Sequence, residues 1–411
     1  MRDRDLYAKI LGITSPWHVN DVALDVAAGK VEVLVEHRGK ACCSKCGRTC
    51  PGYDTRERRW RHLDTCQFET HLVAQVPRVR CEEHGVVQAA VPWSEPGSRF
   101  TAMFEALVID WLKEASFRAV ARRLGLSWDE VDGIRSRAVK RGLARREAST
   151  ATRIGLDETS FQKRHEYVTV VTDLDRSCVL AVLDGRTGAA MDAYFDDVSE
   201  DWRDSVEVVA MDMWRPYSNA AAKWLPNAEV CFDRFHVAQH LGDAVNTVRK
   251  EEHRRLCGEG DRSLAKTKYL WLENARNMRP ARRLKLSRLQ GSSVRLGRAW
   301  ALKELASKLW DYRSRVWARK GWKAWLSLAS RSRLKPMVKV ARMVRKHLDG
   351  ILNAVIRRTT NAASESMNAR IKRIKSMAYG YRNRERFRDA ILFHLGGLDL
   401  YPAGVSTHTD S

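Results

Sequence analysis

Residues 241–350 of this chain carry 29 basic side chains against 9 acidic ones, whereas residues 151–240 carry 9 against 16. A division of that size means at least two bodies with surfaces of opposite sign, so a one-domain module is excluded. The flanks are milder: residues 1–150 hold 25 basic and 20 acidic groups, residues 351–411 hold 10 and 5, and the 411-residue chain totals a formal +23. Nearly all of the excess sits in one segment. Such a field attracts a nucleic acid backbone by counterion release, with strong salt dependence and no sequence information of its own. The bland alternative is a solvated helical surface. The segment has few Gly or Pro and no long β-branched runs, and Trp300, Trp310, Trp317, Trp322 and Trp325 recur among its Arg and Lys, which predicts helices. Trp322 and Trp325 share one helix face, where core packing and base stacking both fit.

At roughly 100 to 200 residues per domain the length predicts two to four units, and 44% apolar residues exclude disorder throughout. No stretch approaches the roughly 18 uncharged residues of a membrane span, and the first nine residues alternate charges instead of opening a signal peptide. The expectation is a soluble, cytoplasmic protein with no membrane partner. Nine cysteines, several of them crowded between Cys42 and Cys50, suit metal thiolates in a reducing compartment better than disulfides.

Cys43 and Cys46 form a two-thiolate knuckle closed by Gly47, and Cys81 and His84 repeat the two-residue gap. Two such pairs make a tetrahedral structural zinc site, with Cys42, Cys50 and Cys66 as substitutes in register. Residues 69–80 between the pairs alternate like a strand, so the pairs close a small β-rich module. Further on, residues 100–112 read as a helix, residues 116–127 as a short helix followed by a glycine turn and a serine cap, and residues 128–142 as a second helix. This is a helix-turn-helix pattern, which any three-helix bundle can imitate; its second helix would offer Arg135, Arg137 and Lys140 to DNA.

From Thr152 the period becomes strand-like. Residues 153–157, 166–173 and 178–184 read as three strands, followed by a helical stretch over 188–200, a buried strand over 206–211, a helix over 216–224 and a strand over 229–232. Asp157 follows the first of these strands and Asp212 the fourth, so adjacency of those strands would set the two carboxylates side by side. Asn361, Glu365, Asn368 and Lys372 are spaced four, three and four apart on one helix face, while Met367, Ile371 and Ile374 form the opposite, anchoring face. Glu365 can thereby be aimed at the two aspartates. Three converging carboxylates require cations, and hard oxygen ligands select magnesium or manganese. Two such ions support phosphodiester cleavage and transfer. For any single Asp the bland reading is a turn residue at a strand end.

Four features together resemble the ISL3 family of insertion-sequence transposases with an Asp-Asp-Glu site, over nearly the whole length. They are the paired Cys-x-x-Cys and Cys-x-x-His, the helix-turn-helix, residues 154–158 (Ile-Gly-Leu-Asp-Glu), and Asn361-x-x-Ser364-Glu365-x-x-Asn368. A fifth, Asp233-x-x-His236, is similar to an element that such families place after the second aspartate. The resemblance implies a multidomain α/β protein with α-rich parts. In order, these are a zinc-binding module (1–95), a helix-turn-helix domain (98–148), a ribonuclease H-like catalytic core (151–240), a basic all-helical insertion (241–350), the rest of the core with the Glu-bearing helix (351–400) and a tail (401–411). It also implies Asp157, Asp212 and Glu365 as Mg2+ or Mn2+ ligands, with Asp233 and His236 beside them and Asn368 and Lys372 near the DNA. Its expected partners are the terminal inverted repeats, target DNA and further copies of the chain, a dimer at least, in a prokaryotic, nucleoid-associated setting. Two rivals remain: a catalytically silent DNA-binding regulator derived from a transposase, and a two-metal nuclease or resolvase that cuts without joining.

Overall fold

A computed structural model describes residues 3–146, 150–162, 166–358 and 362–405, without the side chains of residues 292 and 362–365. The chain divides into two compact units, Met1–Glu147 with Gly397–Ser411, and Ala148–Gly396.

In the first unit a short helix α1 (Asp3–Ile10) precedes strands β1 (Trp17–Asp25), β2 (Lys30–His37), β3 (Gly52–Arg61), β4 (Glu69–Cys81) and β5 (Gly85–Gln88). The sheet runs β1-β2-β4-β3, with β5 also paired to β4. Its inner face buries Trp17, Val33, Trp60, Leu72 and Trp93, and Trp93 meets both Trp17 and Trp60 edge-to-face. Each aromatic edge-to-face pair adds about 0.5 to 1.5 kcal/mol beyond its buried area. Three helices follow, α2 (Ala102–Glu114), α3 (Phe117–Leu124) and α4 (Trp128–Arg145), capped by the hydroxyls of Thr101, Ser116 and Ser127. Gly125 takes φ +66° in the tight link between α3 and α4, a backbone that a Cβ would strain. Ser127 and Glu130 form a reciprocal capping box at the start of α4. The segment Gly397–Tyr401 packs with this unit: Leu400 and Tyr401 are buried, Arg141 donates to the Leu400 carbonyl, and Arg145 donates to the Tyr401 carbonyl at 2.6 Å. Gly142 leaves the room for it, since a Cβ there would lie 2.6 Å from that of Leu398.

The second unit is built on a five-stranded sheet of order β10-β9-β6-β7-β8. Its strands are β6 (Arg153–Gln162), β7 (Glu166–Asp173), β8 (Cys178–Asp184), β9 (Val208–Met211) and β10 (Glu229–Phe232). β6, β7 and β8 form an antiparallel meander, whereas β9 and β10 run parallel to β6. Helices α5 (Gly188–Asp197), α6 (Glu200–Asp204) and α7 (Arg215–Trp224) occupy the crossovers. Between β10 and the final pair of helices lie α8 (Arg234–Gly258), α9 (Lys268–Leu272), α10 (Pro280–Ser292), α11 (Val294–Leu309), α12 (Arg315–Ser330), α13 (Lys335–Lys346) and α14 (Leu348–Arg357). Ile154, Val209, Val237, Trp271, Trp322 and Met337 belong to one continuous core, so these helices are welded to the sheet. Trp322 and Trp325 are fully buried, which settles their role as packing; Trp317 is 58% exposed. α14 covers the edge strand β10, where Asn353 donates to the Val230 carbonyl at 2.9 Å. Gly350 makes that approach possible, because a Cβ there would sit 2.4 Å from the Phe232 ring. The last helices are α15 (Ala362–Met377) and α16 (Arg384–Leu395), and Met367, Ile371 and Ile374 of α15 are buried.

Candidate active site and its DNA-facing modules

The pairing of β6 with β9 sets Leu156 opposite Met211 in parallel register, so Asp157 and Asp212 emerge next to each other. Their backbones aim them: the Glu158 N–H donates to Asp157 Oδ1 at 2.7 Å and the Met213 N–H to Asp212 Oδ1 at 2.6 Å. One strand further along, β10 ends at Phe232, and the next residue, Asp233, is buried and caps α8 by accepting from the Phe235 N–H at 2.9 Å. One turn into α8, His236 lies 3.7 Å from Asp212 Oδ1 through Nδ1 and 3.7 Å from Asp233 Oδ2 through Nε2. The sheet thus gathers Asp157, Asp212, Asp233 and His236. Glu158 points to Arg186, 3.3 Å away, as strand alternation requires.

α15 reaches the same place. Asn368 donates from Nδ2 to Asp157 Oδ2 at 2.7 Å, and Lys375 Nζ donates to the Ser160 carbonyl at 2.9 Å. Glu365 lies on this helix, three residues before Asn368, but its side chain is outside the described residues, as is Asn361. Lys372 is exposed on the same helix. Sequence reasoning missed His347, at the junction of α13 and α14, whose electrostatic interaction with Asp212 brings it to the site's margin. Nothing local to residue 347 signals that position.

Burial pushes the Asp157 carboxyl from 3.8 up to about 6, with the charges of Asp233 and Asp212 adding to the rise and the Glu158 N–H and His236 opposing it. The folded chain therefore holds a proton there more tightly than the unfolded chain does, so ionising Asp157 weakens the fold as pH rises from about 4 to about 6. Asp157→Asn should then stabilise the metal-free protein by about 2 to 3 kcal/mol at pH 7.5 and by almost nothing at pH 4. Thermal melts of both forms across that window check it; a gain that does not shrink as pH falls contradicts the assignment. A buried carboxylate with two others close beside it is a donor set that would suit a hard divalent cation.

In the first unit, Cys43, Cys46, Cys81 and His84 place one ligand atom each within 4.8 Å of one another. Separations of 3.7 Å (Cys43 Sγ to His84 Nδ1), 3.6 Å (Cys81 Sγ to His84 Nδ1) and 3.8 Å (Cys46 to Cys81) match the edges, about 3.6 to 3.8 Å, of a tetrahedron with zinc–ligand bonds near 2.3 and 2.1 Å. The His84 N–H, and after it that of Glu83, lowers the Cys81 thiol to about 7 against the opposing effect of burial, which favours the thiolate a metal needs. Cys42 and Cys66 are exposed and outside this group, whereas Cys50 packs against the same small cluster without being one of the four.

The DNA contacts expected of α4 require a correction. Arg135 does not face a groove: it is 1% exposed, paired with Asp132 and laid over the Phe117 ring at 4.8 Å. Arg137 is engaged by the buried Glu105, with donor distances of 2.9 and 2.6 Å. Lys140 is exposed on α4, and α3 adds exposed Arg118, Arg122 and Arg123, which sequence reasoning passed over.

Comparison with known proteins follows the same order along the chain. Residues 39–84 match a zinc-finger of transposases of the IS204, IS1001, IS1096 and IS1165 elements, and residues 89–139 match the helix-turn-helix domain of transposase family ISL3. Residues 154–391, more than half of the chain, match the ISL3 transposase domain itself. The chain belongs to the ISL3 family of transposases. This transposase is similar to the transposase for insertion sequence element IS1001 of Bordetella parapertussis, at 28% identity over 84% of this chain and 86% of the relative. It is also similar to the transposase for insertion sequence element IS1557 of Mycobacterium tuberculosis, at 26% identity over 97% and 96%. Among its described residues, no helix is long and apolar enough to cross a membrane.

Proposed function

We propose that this transposase recognises the terminal inverted repeats of its element through its N-terminal unit and cuts and joins DNA with Asp157, Asp212 and Glu365, in a ribonuclease H-like core carrying a basic helical insertion. The observation that carries the reading is the junction of three elements: Asp157 and Asp212 in matched register on β6 and β9, with Asn368 of α15 bonded to Asp157. Helical spacing sets Glu365 on the Asn368 face, one turn nearer the N-terminus. The strand order, with the first strand central and two parallel strands following on one side, supports the ribonuclease H-like reading.

Asp157, Asp212 and Glu365 would hold magnesium or manganese, which when bound activates the attacking water or 3′-hydroxyl and stabilises the leaving oxygen. Asn368 and the Glu158 N–H each occupy one oxygen of Asp157, and the Met213 N–H occupies one of Asp212, so both carboxylates arrive oriented. His236, between Asp212 and Asp233, offers a donor toward a phosphate oxygen when protonated. Water cleaves the strand to leave a 3′-hydroxyl, and that hydroxyl displaces a 3′-oxygen in the target. The basic segment 241–350 would hold the end duplex by its phosphates, and Arg118, Arg122, Arg123 and Lys140 would meet it from the helix-turn-helix. Two ends cut together require two copies of the site, hence a dimer at least.

The test is a duplex ending in the element's own terminal repeat, incubated with the full chain in magnesium. We expect cutting at the repeat boundary, joining of the exposed 3′-hydroxyl to a second duplex, and a preference of at least about a hundredfold over a scrambled repeat. Equal cutting of both duplexes without joining would indicate a nuclease, and binding without cutting a regulator.

A further inference from the structure

In the second unit, a cavity of about 420 Å³ opens between the first three turns of α8, the chain after α9 and the end of α11. That volume lies in the range of small-ligand sites, roughly 300 to 1,000 Å³. Its lining joins two aromatic rings, Phe235 and Trp310, to the cations of Arg234 and Lys303, the carboxylate of Asp243 and the amides of Gln239 and Asn274. Phe235 is 54% exposed, and it meets His236 edge-to-face at 5.9 Å. The Phe235 wall of the cavity therefore adjoins His236, which faces Asp212. Arg234 lies over Trp310 at 5.8 Å, and burial, then the nearby charge of Arg276, hold its guanidinium below the ordinary value against the opposing charge of Asp311. A bound anion would offset the repulsion from Arg276.

Gly242 adds a separate argument. It lies inside α8, where glycine costs about 1 kcal/mol relative to alanine. No close contact demands it, because a Cβ there would find its nearest neighbour, Leu272 Cδ2, at an ordinary 3.7 Å. A larger side chain at this position would enter the cavity that Gly242 lines.

We propose that this cavity receives one nucleotide of the transposon-end DNA, unstacked from the duplex beside the cut phosphate, with its base against Phe235 and Trp310 and its phosphate paired with Arg234. An aromatic platform beside a cation is the general means of holding an unstacked base whatever its identity, and removing a base from the stack lets the backbone bend toward the catalytic carboxylates. This inference rests on the transposase reading above and adds a subsite to it.

The experiment uses duplexes of the element's end with 2-aminopurine, or an abasic nucleotide, placed in turn at each position flanking the cut. In the full-length wild-type chain, 2-aminopurine at one position should brighten at least about threefold on binding as it leaves the stack. Gly242→Leu, which fills the cavity, should cut the intact end at least about tenfold more slowly, and an abasic nucleotide at the brightening position should restore most of that loss. Phe235→Ala, which leaves the helix backbone alone, should reduce the brightening and slow cutting about tenfold. Circular dichroism establishes that both variants are folded. A folded Gly242→Leu chain that cuts like wild type, a loss that abasic DNA does not restore, or an active wild type in which 2-aminopurine stays quenched everywhere each overturns the subsite. A wild-type chain that leaves every end uncut overturns the transposase reading and the subsite with it.

Discussion

Asp157→Ala and Asp212→Ala should each lower end cleavage by at least about a thousandfold, equivalent to roughly 4 kcal/mol of barrier, while leaving end binding within about twofold. Asp157 follows Leu156 and Asp212 follows Met211, the last matched pair of two parallel strands, so the register from Arg153 to Leu156 sets the two carboxylates beside each other. Binding should survive because the proposed DNA-holding surfaces, the zinc and helix-turn-helix modules and the basic segment 241–350, are left untouched by these substitutions. Glu365→Gln should match the aspartate variants. Asn368→Ala should do less, about tenfold, because it removes one hydrogen bond that orients Asp157 and leaves the carboxylate in place. Gel-based cleavage and mobility-shift assays on the same end duplex separate the two effects. A variant of either aspartate that still cuts at a tenth of the wild-type rate would remove it from the site.

The second large effect concerns zinc. The Cys43–His84 cluster has its own small core, Ala41, Val79 and Ala89 with the buried Cys43 and Cys81, separate from the tryptophan core of the same unit. So little apolar burial cannot hold four ligands together, and binding energy of about 10 kcal/mol or more is what structural zinc contributes to modules of this kind. The purified chain should therefore carry one zinc per molecule, and Cys46→Ser or Cys81→Ser should carry none. Chelation should raise hydrogen exchange in residues 41–50 and 81–89 by more than about a hundredfold, with the strands around Trp17, Trp60 and Trp93 staying protected. Unchanged exchange in the metal-free chain would show that the knuckles stand without metal.

Much of the catalytic sheet was legible in the sequence. Strands β7, β8 and β10 begin and end where their apolar runs meet turn residues, and the adjacency of Asp157 and Asp212 followed once β6 and β9 were neighbours. The helical reading of 188–200 broke into α5 and α6 because Ser199 caps a new helix. β2 alternates as a strand should, with Val31, Val33 and Val35 buried, and was passed over; β3 left a weaker signal, being charged and mostly exposed along its length, so that pairing with β4, rather than its own pattern, makes it a strand. Arg135 and Arg137 looked free on a helical wheel because their partners are not visible there. Asp132 and Phe117 claim the first, and Glu105, thirty-two residues upstream, claims the second. His347 and the cavity beside Phe235 arise only where α8, α11 and α13 fold over the sheet, so no single stretch of sequence announces them.

The account depends on a divalent cation seated among carboxylates contributed by β6, β9 and α15. Calorimetric titration of Mn2+ into the full-length, zinc-loaded chain tests this directly, since the thiolate cluster prefers softer metals and leaves manganese to oxygen donors. The prediction is saturable binding that Asp157→Asn and Asp212→Asn each abolish and Glu365→Gln weakens at least about tenfold. Wild-type binding retained in both aspartate variants would contradict it.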